Sequence, residues 1–241
     1  MIDLYFGDCL EIMQDIPDKS VNLVLCDLPY GTTKNKWDEI IPFPELWKQY
    51  ARVTKDNAAI VLFGDGLFTA KLALSVTPPI KWRYNMVWDK QRCCDFLNAN
   101  RKPLKSHEDI CVFYKKQPTY NKQTWESKPY KRTVNGSLSD NYGNRHEAWS
   151  ESVNGERNPL TILSFPRDGN RMHPTQKPVA LLEWLIRTYT NEGDTVLDNC
   201  MGSGSTGVAC VNTKRHFIGI EKECRYFDIA KGRIYNATRL Y

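Results

Sequence analysis

Apolar positions along the chain fall into two patterns. Short runs are apolar nearly throughout: "IDLYFG" at 2–7, "VNLVLC" at 21–26, "AAIVLFG" at 58–64, "DICVFYKK" at 109–116, "TVLD" at 195–198 and "HFIGIEKE" at 216–223. Runs of this length bounded by turn residues read as buried strands, and "KWRYNMVWDK" at 81–90 alternates like a half-buried one. Between them the apolar positions recur at helical spacing. "CLEIMQDI", "PFPELWKQYARVT", "GLFTAKLALSV", "QKPVALLEWLIRTYT" and "CRYFDIAKGRIYNAT" read as helices, the second with proline near its start. Strand and helix in alternation predict an α/β fold, a mostly parallel sheet with helices on both faces.

The rhythm stops between about residues 117 and 170. This stretch is polar, rich in Asn, Ser, Gly and Arg, and long for a connection inside a compact domain. It carries Tyr120, Trp125, Tyr130, Tyr142 and Trp149 among Lys122, Lys128, Lys131 and Arg132. Plain disorder is aromatic-poor. The mixture reads either as a decorated surface loop or as a surface that orders on a nucleic acid.

Charge sharpens this only locally. The 241 residues carry a net charge of +5, which is compatible with a nucleic-acid partner and with many others. Lys81, Arg83, Lys90, Arg92, Arg101, Lys102 and Lys105 crowd one stretch that has only Asp89 and Asp95 as acids before residue 105. It is either a solvated face or a phosphate-contacting one. The N-terminal "MIDLYFGDCLEIM" lacks the pattern of a signal peptide, and no apolar run approaches the ~18 residues of a membrane span, so a cytoplasmic protein with no membrane partner is expected. None of the eight cysteines is spaced C-x-x-C. They are expected as free thiols packed as small apolar residues, with no metal site.

Two strand ends carry more polar chemistry than a turn requires. In "LDNCMGSGSTG" a strand meets glycines at 202, 204 and 207 and a helix start. Glycine permits the sharp turn and a close ligand, and amides at a helix start favour a negative group. The spacing is neither a P-loop nor a strict dinucleotide fingerprint. Glu221 ends the next strand, where an acid can accept hydrogen bonds from both ribose hydroxyls. A nucleoside-bearing ligand follows; the rival reading is a purely structural turn. In "CDLPYG" at 26–31 the turn needs Pro29 and Gly31 but not Asp27 and Tyr30. The rival there is a strand-ending turn with a solvated acid.

Taken together these motifs carry a resemblance. "LDNCMGSGSTG" resembles the S-adenosylmethionine loop of DNA amino-methyltransferases, "DLPY" their catalytic D-P-P-Y, and "MHPTQKPVALLEWLI" the helix that packs over the cofactor. Catalytic motif first and glycine loop last is the order of the circularly permuted beta class. The resemblance implies a Rossmann-like, seven-stranded sheet in one domain over residues 1–241, with about 117–170 as an inserted target-recognition region. It implies S-adenosyl-L-methionine as cofactor and double-stranded DNA as partner, in a bacterial or phage restriction-modification setting. The chain departs from the pattern at Leu28, where the family has proline, and at Cys200, where it has phenylalanine.

The implied roles are residue-specific. An exocyclic amine on a base is a poor nucleophile because its lone pair is delocalised into the ring. Two acceptors on its hydrogens pull the nitrogen towards tetrahedral geometry. The Asp27 carboxylate and the Leu28 carbonyl, held by Pro29, are the implied acceptors, and Tyr30 stacks on the base. Flipping the base costs a few kcal/mol, and stacking returns about 1–3 kcal/mol. No covalent intermediate is needed, so no cysteine need act as nucleophile. Cys200, Gly202, Ser203, Gly204, Ser205, Thr206 and Glu221 are implied to cradle the cofactor. Asp198 is implied to face its methionine part, and His173 and Lys177 to reach its carboxylate. Asp8 either contacts its adenine or caps the following helix. His173 reads as a helix-entry polar residue rather than a catalyst, and Asp65 as a turn or pocket residue. Lys34, Lys36 and Trp37 read as either a strand-holding or a surface loop. Aspartate at position 27 favours adenine N6 over cytosine N4. The rivals are an inactive DNA-binding relative and an RNA or protein-amide methyltransferase.

Overall fold

The computed structural model describes residues 1–33, 35, 38–134, 138–139, 143–144, 148–169 and 176–239, with no side chains described over 132–150. The chain divides into two compact units, residues 1–121 with 161–241 and residues 122–160. In the larger unit the chain runs β1 (Ile2–Phe6), α1 (Cys9–Ile12), β2 (Val21–Cys26), α2 (Phe43–Val53), β3 (Thr54–Gly64), α3 (Leu67–Ser75), β4 (Lys81–Cys94) and β5 (Lys105–Tyr114). The smaller unit holds β6 (Trp125–Glu126), β7 (Tyr130–Val134), β8 (Leu138–Ser139), β9 (Gly143–Asn144), β10 (Ala148–Ser152) and β11 (Glu156–Arg157). The larger unit resumes with β12 (Ile162–Ser164), α4 (Val179–Tyr189), β13 (Thr195–Asp198), α5 (Ser205–Asn212), β14 (His216–Glu221) and α6 (Cys224–Thr238).

The sheet order is β1-β14-β13-β2-β3-β5-β4-β12. Strands β1, β14, β13, β2 and β3 pair in parallel; β5 is antiparallel to both β3 and β4. The α/β, mostly parallel architecture is as expected, with helices on both faces. The described sheet has eight strands rather than seven. The additional one, β12, is three residues long, lies in a polar stretch and pairs in parallel with β4 through Ile162 and Val87; it has too few residues to show a period.

Strand alternation sorts the core onto the two faces. Leu23, Leu25, Ala59, Val61 and Phe63 pack with residues of α4, α5 and α6, including Leu181, Leu185, Ala209 and Ile234. Val24, Cys26, Ile60 and Leu62 pack with α1, α2 and α3 through Cys9, Trp47, Tyr50, Phe68 and Leu72. The same topology gathers polar strand ends. Parallel β2, β13 and β14 end at Cys26, Asp198 and Glu221 on one edge. Gly64 at the end of β3 faces Asp109 of β5, so the beginning of β5 and the end of β4 reach that edge too.

Four of the cysteines, Cys9, Cys26, Cys111 and Cys210, are buried as expected, but Cys93 and Cys224 are exposed; all eight are free. Among the described residues no helix is long and apolar enough to cross a membrane. The smaller unit, which shows no period in the sequence, contains three two-stranded ladders: β7 with β10, β6 with β11 and β8 with β9. Within it the Trp125 indole donates to the Asn158 carbonyl at 3.1 Å, and the Arg157 guanidinium lies 4.3 Å from the Tyr130 ring centre.

Candidate active site

The turn after β13 is built by two left-handed glycines. Gly202 has φ 51° and Gly204 φ 77°. A Cβ on Gly204 would sit 2.8 Å from Ala230 Cβ and 3.0 Å from its Cα, so only glycine lets α6 approach this closely. Buried Asp198 ties the turn to its helix, accepting from the Cys200 amide at 3.1 Å and the Thr206 hydroxyl at 2.6 Å. Burial pushes its carboxyl up to about 6 against those hydrogen bonds. Arg233 of α6 donates to the Ser203 carbonyl at 2.6 Å and to the Ser203 and Ser205 hydroxyls. Glu221 accepts from the Gly202 and Glu223 amides, both at 2.8 Å, one on each carboxylate oxygen. Burial raises it, with the backbone amides opposing.

Beside this turn, β2, which pairs with β13, surfaces into Asp27-Leu28-Pro29-Tyr30. The Leu28 side chain is 3% exposed and belongs to the core beneath α1–α3, so the apolar residue in place of proline is used as packing. The Tyr30 hydroxyl donates to Asp27 Oδ1 at 2.8 Å, and its ring stacks on Phe68 at 4.6 Å. Lys177, just ahead of α4, donates to Asp27 Oδ2. Its ammonium also lies 3.3 Å from Glu108 of β5, and Lys90 of β4 donates to the other Glu108 oxygen at 2.5 Å. Burial raises Asp27, with Lys177 pulling the other way. For Glu108, burial is outweighed by Lys177 and Lys90, which hold it at about 2. Burial disfavours the Lys177 ammonium, but Asp27 and Glu108 outweigh it and raise the group.

These walls border one cavity of about 180 Å³. Of the residues singled out from sequence, Asp8, Asp27, Leu28, Pro29, Tyr30, Lys177, Asp198, Cys200, Gly202, Ser203, Ser205, Thr206 and Glu221 line it. Gly204 does not; its place is the packing against α6. Asp8 both lines the cavity and caps α1, with Leu10 and Glu11 amides donating to Oδ1. Lys177, expected to reach for the cofactor carboxylate, is placed on Asp27 and Glu108. Asp65 is not among the lining residues and pairs with Lys105. His173, Lys34, Lys36 and Trp37 lie outside the described residues.

Sequence reasoning missed Glu108, Asp38, Asn199 and Gln176, which also line the cavity. Asp38 gathers the amides of Gly31, Thr32 and Thr33 at 2.6–2.9 Å and so fixes the chain leaving Tyr30. Burial alone would raise it, but the hydrogen bonds led by Thr33 hold it low. Tyr50 donates to Asn199 at 2.6 Å. Glu108 had a signal in the sequence. It has the parity of Ile110 and Val112, whose face of β5 packs towards α4, so an acid extends a row of apolar positions. The basic stretch 81–105 is not one face. Lys90 is buried on Glu108, Lys102 pairs with Asp95 and Lys105 with Asp65, which leaves Lys81, Arg83, Arg92 and Arg101 without a described ion pair, the last two at the β4–β5 hairpin end.

Comparison with known proteins bears on what this cavity does. Residues 21–232 match the sequence model of the N6/N4 family described as DNA methylase. The chain is 27% identical to the type II methyltransferase M2.MboI of Moraxella bovis, over 98% of this chain and 88% of that protein. It is 29% identical to M.BglII of Bacillus subtilis, over 94% and 67%. Among solved structures, that of M1.HpyAVI in complex with SAM covers 97% of this chain and all of its own, with a TM-score of 0.69 and 27% identity. The cytosine-N4-specific PvuII methyltransferase shares the fold, with a TM-score of 0.68 at 16% identity over 99% of this chain and 91% of that one.

Proposed function

Because the chain belongs to the N6/N4 DNA methylase family, we propose that this DNA amino-methyltransferase modifies a base flipped into the cavity, and that the base is adenine, methylated at N6. The observation that carries the reading is that Asp27 and Glu221 line one cavity; the reading takes the first as the amine acceptor and the second as the ribose acceptor.

The residues fit S-adenosylmethionine, the family's cofactor and the one bound in the M1.HpyAVI complex. Each Glu221 oxygen accepts one backbone amide and retains a lone pair for a ribose hydroxyl. The described hydrogen bonds to Asp8 fall on Oδ1, which leaves Oδ2 for an adenine amine. When bound, the cofactor supplies a sulfonium methyl group open to attack by a nitrogen lone pair. The chain's residues orient that nitrogen. Asp27 accepts one amine hydrogen and the Leu28 carbonyl accepts the other. Tyr30 offers its ring to the base, backed by Phe68 and tethered by its hydroxyl to Asp27. Good alignment of the reacting atoms contributes roughly 7–11 kcal/mol to such a step.

Aspartate rather than serine at position 27 supports adenine over cytosine. Residues 117–170, which include the 122–160 unit, serve as the target-reading region; the exposed Trp125 and Tyr130 support this reading. Arg92 and Arg101 serve as phosphate contacts, which give salt-dependent affinity. The test is incubation with double-stranded DNA and methyl-labelled cofactor, followed by nucleoside mass spectrometry. Labelled N6-methyldeoxyadenosine is the expected product. N4-methyldeoxycytidine would overturn the adenine assignment, and no methylated nucleoside would overturn the whole reading.

A further inference from the structure

Three ionisable side chains from separate segments of the chain converge behind Asp27, the proposed amine acceptor. Asp27 follows β2, Lys177 precedes α4, Glu108 lies on β5 and Lys90 on β4. Lys177 bridges the two carboxylates, and Lys90 holds the far oxygen of Glu108. Both lysines are buried, at 6% and 3% exposure, and the Lys177 ammonium lies 4.9 Å from the Phe63 ring centre. Buried ion pairs add little net stability, because desolvation cancels most of the attraction. Stability therefore does not explain three of them here, at the edge of the sheet that carries the cavity.

We infer that Lys177 is a positioning residue for Asp27, and that Glu108 balances its charge so that the group behind the target amine stays neutral. The inference rests on the amino-methyltransferase reading. Tyr30 on Oδ1 and Lys177 on Oδ2 fix the plane of the Asp27 carboxylate. Each oxygen keeps a lone pair for the amine. Positive charge moves onto that amine as the methyl group arrives, so an uncompensated cation behind Asp27 would oppose the step. Glu108 supplies the compensation. Without Lys177, two carboxylates and one lysine remain, and Asp27 takes up a proton and loses its function as an acceptor. The titratable groups facing Asp27 are Cys26 and Tyr30 of its own segment, Lys177, Glu108 with Lys90 behind it, and Asp198 of β13.

This balance makes a prediction that simple damage does not. Lys177→Met and Glu108→Gln each unbalance the group in opposite directions, and the double variant restores neutrality with Asp27 and Lys90. Each single variant should lose about 100-fold in kcat at pH 7.5. The double variant should recover at least about tenfold over Lys177→Met, a non-additivity typical of contacting residues. The acid limb of the kcat profile should move to higher pH in Lys177→Met and return in the double variant. Lys177→Arg, which keeps the charge, should keep the limb. Cofactor affinity by calorimetry and thermal midpoints, read on every variant, separate misfolding from mispositioning. A double variant no better than the worse single one, or an unmoved acid limb in Lys177→Met, would overturn the inference while wild-type methylation stands. Absence of methylation by the wild-type protein overturns the underlying reading instead.

Discussion

The two walls of the cavity hold their acids by different means. On the glycine-turn wall the acids are held by neutral donors: Glu221 by the Gly202 and Glu223 amides, and Asp198 by the Thr206 hydroxyl, the Cys26 thiol and the Cys200 amide. On the neighbouring wall, Asp27 and Glu108 are satisfied by side chains: Tyr30, Lys177 and Lys90. Backbone donors are fixed once the strand–turn–helix path is fixed, and they carry no titratable charge. They make a preformed shape. Lysine donors bring charge that a single substitution can remove. The first wall is suited to gripping a constant ligand, and the second to adjusting the charge around a reacting nitrogen. The contrast predicts that substitutions on the turn wall will appear first as lost stability or affinity, and those on the Asp27 wall as lost turnover.

The sharpest test of that division is Asp27→Ala. Turnover should fall on the order of 10³-fold, the upper range for removal of a single preorganised catalytic contact, while calorimetric cofactor affinity stays within about twofold, well below a 1 kcal/mol change. Loss of cofactor binding with turnover would break the comparison, since it would make Asp27 part of the cofactor wall. The converse variant is Gly204→Ala. Its Cβ would stand 2.8 Å from Ala230 Cβ, on a backbone at φ 77°. Overpacking and left-handed strain together should cost about 2–5 kcal/mol in denaturant unfolding. Cofactor affinity should fall with stability. Retained stability would show that the turn and α6 adjust, and that the wall is not preformed.

The same contrast explains what is legible in the sequence. The turn wall is local. Asp198, the glycines and Thr206 lie within nine residues, and Glu221 ends the very next strand, so periodicity and turn chemistry reveal them together. Strands buried on both faces are equally readable: "VNLVLC" is β2 to the residue, and "CRYFDIAKGRIYNAT" is α6. The Asp27 wall is assembled across the chain. Lys177 reaches Asp27 from 150 residues away, and Lys90 meets Glu108 across the β4–β5 pairing. No local pattern encodes those meetings, so the sequence marks Lys177 as a site residue but with another partner, and leaves Lys90 among the surface charges. Other edges blur for physical reasons. Strand β3 begins at Thr54, four residues before its apolar run, because polar "TKDN" continues the ladder. The "CLEIMQDI" helix tightens to a 3-10 turn at Met13.

Asp198→Asn probes the smallest effect and isolates the cost of burying that acid in the turn wall. In the folded chain burial lifts Asp198 to about 6, above the ordinary carboxylate value of about 3.9. A raised value means that the fold prefers the protonated form. The contribution of this group to stability is therefore fully present below pH ~4 and is lost as pH rises through about 6. A rise of that size corresponds to about 3 kcal/mol as an upper bound. Asparagine keeps a carbonyl oxygen for the Cys200 amide and can donate to Thr206, but it does not titrate. Urea unfolding at pH 7.5 should find the variant as stable as the parent or more so, and at pH 5 the parent should gain on it. A stability difference that stays constant between those pH values would mean that Asp198 is ionised at no cost. The turn wall would then hold its acid ionised as Lys177 and Lys90 hold Glu108.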